Sequence, residues 1–249
     1  EMAESIEFSI DQSLAEIGQQ IGPITGDTLC LVQSETSNGT GQLICRADFQ
    51  LSQEAIIAVD ATSSMGGIEL PWLEADVWLA SVQKCMGIPA GMGLLICSPK
   101  ALARANELGR ASHYNDMLFL EDNRRLFQTQ MTPNVLSIYL VYRLTKQLPS
   151  LHETQRLTLE KMKHWTDFWE TQNDFSYLIQ SEKLRLPTVL ALKAPPEKIA
   201  ALHQKCLNKG IELGKSYGKW KETSFRIANF PSHTLEDIET LIHTIKNEL

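Results

Sequence analysis

The chain has 249 residues, 43% of them hydrophobic and 21% charged, which is the composition of a soluble globular protein with one sizeable core, or one domain and a lobe. Its formal net charge of −7 contains no basic block, so neither nucleic acid nor an anionic membrane finds an electrostatic footprint. No apolar run approaches the roughly 18 residues that span a bilayer, and no signal-peptide pattern opens the chain.

In chain order, "IDQSLAEIGQQIG" (10–22) reads as a helix closed by Gly22-Pro23. "TLCLVQ" (28–33) is a short apolar run that ends in the polar patch "SETSNGTG". "AIIAVDATSSMGG" (55–67) repeats the design, with an acid at the strand end followed by small polar residues, and "ADVWLASVQK" (75–84) does so again. "GLLIC" (93–97) is a fourth apolar strand, bounded by Gly93 and Ser98-Pro99. Near-continuous apolar runs of this length predict an α/β fold, a mostly parallel sheet with helices on both faces.

"TPNVLSIYLVYRL" (132–144) predicts a helix with Thr132 as N-cap and Pro133 in its first turn, Val135, Ile138, Tyr139 and Tyr142 lining one face. A long helix follows over about 150–172, with Trp165, Phe168 and Trp169 packing in the core; Trp72 and Trp78 are also read as core. From Phe175 the texture changes to α+β. "YLIQS", "PTVLALK" and "SFRIANF" predict strands and "PPEKIAALHQKCLNKG" a helix. The closing helix "HTLEDIETLIHTIKNEL" has Thr234 as cap and Asp237 in capping-box position. The expected organisation is a large domain over 1–150, a linking helix over 151–175 and a small α+β domain over 176–249.

Thr36, Asp60 and Lys84 recur at intervals of 24 residues, each the length of a return crossover plus one strand. Right-handed crossovers bring successive strand ends to one edge of a parallel sheet, where ligands sit. A lone strand-end lysine is ordinarily solvated, and a lone strand-end aspartate ordinarily caps a turn. Together, and with small residues around the lysine, they suit pyridoxal 5′-phosphate. An amine poorly hydrated among small residues is nucleophilic toward a carbonyl, and a carboxylate can hold a pyridinium N–H so that the ring serves as an electron sink. Thr36 can donate to the phenolic oxygen of such a ring, and Ser63 and Gln83 lie in reach of a phosphate. The five cysteines form no CxxC pair and the six histidines no HxxxH or HExxH spacing. The expectation is no metal site and reduced, mostly core thiols in a cytoplasmic protein.

"VDATSSMGG" and "DVWLASVQKCMGIPAGMGLLICS" resemble the signature stretch of the class V aminotransferases of PLP fold type I, the group with the serine–glyoxylate, alanine–glyoxylate and phosphoserine aminotransferases. "SETSNG" resembles that family's G/N-E-[ST]-S-x-G segment, and "LRLPTV" and "FRIANF" resemble segments of its small domain. The resemblance implies a Schiff base on Lys84, which then shuttles a proton. It implies pairing of Asp60 with the pyridine nitrogen, a bond from Thr36 to the ring hydroxyl and contact of Gln83 with the phosphate. Arg226 is implied as the partner of the substrate carboxylate, where a planar fork serves better than a point charge. Thr132 is implied to reach the phosphate of a neighbouring subunit's cofactor, hence a homodimer with shared sites. The family also carries a preceding segment with a glycine-rich phosphate turn and a stacking aromatic, so the large domain is expected to be incomplete at its N-terminus.

The implied reaction moves an amino group from a small L-amino acid (serine, alanine or phosphoserine-like) to a 2-oxo acid. Two other readings stay open on sequence alone: a PLP lyase of the same fold, such as a cysteine desulfurase or kynureninase relative, and a non-catalytic remnant. Gln83 stands where desulfurases show histidine, and Cys206 falls in a helical pattern rather than a loop, which favours transamination.

Overall fold

The computed structural model describes residues 4–246. The first sheet contains β1 (Thr28–Val32), β2 (Ile56–Asp60), β3 (Val77–Ser81) and β4 (Gly93–Cys97), in that spatial order. β1, β2 and β3 are parallel, with Val32 opposite Asp60 and Asp60 opposite Leu79. β4 runs antiparallel to β3, pairing Ser81 with Gly93 and Val77 with Cys97. The connection between them, residues 82–92, contains no helix and is too short for a parallel return.

Helix α1 (Leu14–Ile21) begins at Ser13, whose side chain accepts from Glu16 N while Glu16 reaches back to the Ser13 N–H, a complete capping box. Its Leu14 and Ile17 pack with Ile57, Val59, Trp78 and Ala80 on one face of the sheet. Helices α2 (Pro99–Leu108) and α3 (Met117–Arg125) lie on the other face, where Ala101 and Met117 meet Ile56, Ala58 and Val77. Their cover is partial: Val32, Leu79 and Leu95 remain exposed.

Two expectations are corrected here. Cys30 and Cys45 are exposed and Cys97 is intermediate, so of the five cysteines only Cys85 and Cys206 lie in the core. Cys30 sits on the uncovered face of an edge strand, where an apolar run does not guarantee burial. Trp72 is 40% exposed and meets the buried Trp78 edge-on, its ring serving as a lid on the core rather than as part of it.

Helix α4 (Val135–Gln147) starts later than its sequence suggests. Asn134 is the N-cap, its side chain accepting from Ser137 N, and Thr132 lies in the preceding exposed loop. Asparagine is a strong cap, and its side chain reaches the Ser137 N–H, so the first turn begins after Asn134 rather than at Pro133. Val135, Ile138, Tyr139 and Tyr142 are all exposed.

Helix α5 (Leu151–Trp169) buries Trp165, Phe168 and Trp169 against a second, fully antiparallel sheet. This sheet holds β5 (Ser176–Tyr177), β6 (Val189–Lys193), β7 (Gly214–Lys215) and β8 (Ser224–Ala228) in the order β7-β8-β6-β5. Helices α6 (Pro196–Asn208) and α7 (Leu235–Lys246) close its core through Ile199, Leu202, Cys206, Ile238 and Ile245. α7 carries the expected capping box: Asp237 N donates to Thr234 Oγ1 and Thr234 N to Asp237 Oδ2. The end of the predicted helix, 247–249, lies outside the described residues.

At the amino end of β3, Asp76 is 8% exposed and accepts from Ile57 N at 3.0 Å, Arg46 Nη1 at 3.1 Å and Ser98 Oγ at 3.2 Å. The arginine is partly solvated, so the ion pair itself is screened and the buried N–H carries most of the penalty. Asp76→Ala is expected to cost about 1–3 kcal/mol of stability, read from urea denaturation, because it leaves the buried Ile57 N–H without its acceptor.

Candidate active site

The carboxyl ends of β1, β2 and β3 point to one edge, as the parallel pairing requires. Asp60 is the last residue of β2, and the chain then turns tightly, with Ser64 N and Met65 N both donating to Ala61 O. That turn places Ser63 back toward the edge, fully buried. Lys84 follows β3 in a turn closed by Gly87 N donating to Lys84 O at 2.9 Å. Gly87 has φ +64, and a Cβ there would stand 3.2 Å from Ser232 Cβ, so the turn needs glycine both for its backbone and for its packing.

Lys84 Nζ donates to Ser63 Oγ at 3.0 Å and to Thr36 Oγ1, and the two hydroxyls also bond each other. The amine thus has two hydroxyl partners, and the three groups come from three different strand ends. Asp60 lies at the same edge, its Oδ1 accepting from Thr62 N at 2.8 Å, which leaves its other oxygen available to a ligand. Thr62 in turn accepts from Ser81 N at 3.1 Å, tying the Asp60 turn to the end of β3.

Arg226 reaches this edge from the second sheet. Its Nη1 donates to the Thr36 carbonyl at 2.9 Å, while Nε and Nη2 donate to the Lys215 carbonyl at 2.9 and 2.6 Å. The guanidinium lies 4.9 Å from the Tyr217 ring centroid. Three of its five N–H groups are used; one remains on each terminal nitrogen, the pair that a carboxylate takes end-on. A cavity of about 620 Å³ is lined by Thr36, Lys84 and Arg226, with the Gly210–Gly214 segment, Phe230 and His233 as further walls.

Hydrogen bonds therefore join four of the seven residues singled out by sequence: Thr36, Ser63, Lys84 and Arg226. Asp60 shares their edge, Gln83 is exposed beside Lys84, and Thr132 lies in its exposed loop without a bond to the others among the described residues. Three features had no sequence signal: the tie from Arg226 to the Thr36 carbonyl, the stacking of Tyr217 on Arg226, and the buried Lys161. Lys161 Nζ donates to the carbonyls of Phe230 at 2.7 Å and His233 at 2.9 Å, and burial lowers the pKa of this amine. It fixes the 230–233 turn, which packs on the Lys84 turn through Ser232 and Gly87.

Cys85, the neighbour of Lys84, points the other way, its thiol donating to Ser63 O at 3.2 Å. Burial pushes this thiol up to about 12. At pH 8 only on the order of one molecule in ten thousand then carries the thiolate. Iodoacetamide is therefore expected to label Cys30 and Cys45 readily at that pH and to spare Cys85, as peptide mass mapping would report; rapid labelling of Cys85 would contradict its burial.

The family profile "Aminotransferase class-V" matches residues 9–218. A phosphoserine aminotransferase of Rhodococcus opacus is 27% identical over 247 residues, covering 93% of this chain and 64% of the relative. Among solved structures, a phosphoserine aminotransferase from Cytophaga hutchinsonii superposes with a TM-score of 0.78 at 29% identity, covering 92% of this chain and 65% of the other. An alanine–glyoxylate aminotransferase from Nostoc sp. gives a TM-score of 0.78 at 21% identity over 95% of this chain and 65% of its own length, a likeness of fold. The chain thus spans just under two thirds of the length of these relatives. A match over most of the chain places this protein in the class V aminotransferase family.

Proposed function

We propose that the full-length protein is a pyridoxal-phosphate-dependent aminotransferase. It takes the amino group of a small L-amino acid (serine, alanine or a phosphoserine-like donor) and passes it to a 2-oxo acid. The observation that carries this reading is the convergence of Lys84, Thr36 and Ser63 in one hydrogen-bonded cluster, with Arg226 bound to the same Thr36.

The residues present fit the cofactor. Lys84 offers an amine at the wall of a cavity about 620 Å³ in volume, and Asp60 offers a carboxylate oxygen without a partner in the turn. When bound, the cofactor supplies an aldehyde for the lysine and a ring that stores an electron pair. Asp60 would hold the ring N–H and keep the ring positively charged. Thr36 and Gln83 would supply polar contacts around the ring and phosphate, and Ser63 would stand behind Thr36 at the Lys84 amine. Arg226 would orient the substrate by its carboxylate, and Lys84, once free, would take the proton from the substrate Cα. In the proposed division into a large domain over 1–150, a linking helix and a small domain from 176, Arg226 would come from the small domain and Lys84 from the large one.

A homodimer with Thr132 serving the partner's cofactor is part of the proposal. Its support is the row of exposed apolar residues on α4, together with the fully exposed Phe127 and the exposed Met131 just before it. A cytoplasmic setting is also part of the proposal. Cys206 is buried within α6 and has no access to a substrate, which disfavours the desulfurase reading.

The test is a donor screen with the full-length protein, following 2-oxo acid formation from serine, alanine and phosphoserine. Transfer from at least one of them is expected. Release of sulfide from cysteine, or of ammonia without transfer, would sink the aminotransferase reading.

A further inference from the structure

Ser63 is fully buried, an expensive position for a hydroxyl unless it is bonded. Its Oγ has two side-chain neighbours, Lys84 Nζ at 3.0 Å and Thr36 Oγ1. Its backbone carbonyl is held by the Cys85 thiol at 3.2 Å, so both ends of the residue are anchored by the Lys84 turn. A phosphate contact, by contrast, asks for a group that is accessible from the cavity, and Ser63 is not among the residues lining it.

Resting on the functional reading above, we propose that Ser63 is a positioning residue for the Lys84 amine, acting with Thr36 to aim its lone pair into the cavity. A neutral amine has two N–H donors and one lone pair. Ser63 Oγ and Thr36 Oγ1 are two acceptors, fixed from two different strand ends. When both donors are engaged, tetrahedral geometry leaves one direction for the lone pair; Lys84 borders the cavity, into which that direction is proposed to open. The amine is then oriented before it meets a substrate. The step it serves is balanced: the Cα–H bond breaks, its proton bonds to Nζ, and the electron pair left on carbon passes into the cofactor ring. The third N–H so formed points into the cavity, because the other two still face the hydroxyls, and the same proton can be returned there.

Thr36 also joins this device to Arg226, whose Nη1 holds the Thr36 carbonyl. Carboxylate binding and amine orientation thereby share one residue. Ser63 carries the part of the arrangement that touches neither the carboxylate-binding arginine nor the cavity.

The full-length protein tests this with Ser63→Ala. In the cofactor-free protein, limiting acetic anhydride should acetylate Lys84 severalfold more slowly in the variant, whose lone pair is no longer held toward the cavity, with Lys100 as an unchanged internal control. In the loaded protein, cofactor affinity and the visible absorbance of the lysine-bound cofactor should be retained. The single-turnover rate with the amino donor should fall by about 10-fold to 100-fold, the scale of a misplaced reacting group. The isotope effect of a Cα-deuterated donor should rise at the same time. If Ser63→Ala fails to fold, Ser63→Gly removes the same hydroxyl and must give the same pattern. Weakened cofactor affinity with an unchanged turnover rate would make Ser63 a phosphate contact only and overturn the proposal. So would unchanged acetylation with unchanged turnover. Wild-type protein without the lysine-bound absorbance would instead overturn the functional reading itself, while the acetylation arm still reads the Ser63–Lys84 bond.

Discussion

Replacing Lys84 with alanine in the full-length protein is expected to lower amino-group transfer by about 10⁴-fold or more, because one side chain is both nucleophile and proton carrier. The variant should fold. Lys84 lies in a turn held by backbone bonds and by the buried Cys85 and Ile88, none of which involves its amine. Lys84→Arg is expected to be no better than alanine. Guanidinium keeps the positive charge but stays protonated, so it offers no lone pair to a carbonyl or to a Cα proton. Single-turnover kinetics with a saturating donor would check both variants. A Lys84→Ala protein within tenfold of wild type would remove this lysine from the reaction.

The second large effect is expected at Asp60. Asparagine there keeps the shape and can still accept from Thr62 N, so the turn after β2 survives and thermal stability should change little. What is lost is the negative charge at the strand edge. The ring nitrogen then has a neutral partner, and charge developing in the transition state loses its preorganised counter-ion. A fall of about 10²–10³-fold in kcat/KM follows from the usual value of one such electrostatic contact. Equal losses of activity and of melting temperature would instead assign Asp60 to the turn alone.

These two side chains were legible in the sequence because they depend on local information. A short apolar run ends, and the next polar residue is delivered to the edge where the strand stops. The Thr234–Asp237 capping box is equally local and formed as read, and the Ser13–Glu16 box, which the sequence reading did not name, is of the same local kind. Thr132 shows where such reading goes astray, since the cap two residues later, Asn134, is the one whose side chain holds the first turn. The direction of β4 was set by the absence of a helix in 82–92, which strand hydropathy does not report. Burial of Cys30 failed because the face of an edge strand depends on what packs there, a property of other segments. The partner of Arg226 was beyond any pattern. Thr36 stands 190 positions away, and the two meet only because the second sheet folds back on the first.

Borohydride reduction of the cofactor-loaded full-length protein, followed by peptide mass mapping, tests the central assignment most directly. Reduction fixes the cofactor to whichever lysine holds it. The expected result is a pyridoxyl group on the peptide containing Gln83-Lys84-Cys85 and on no other lysine. Attachment to Lys161, Lys100 or another amine, or no attachment at all, would contradict it.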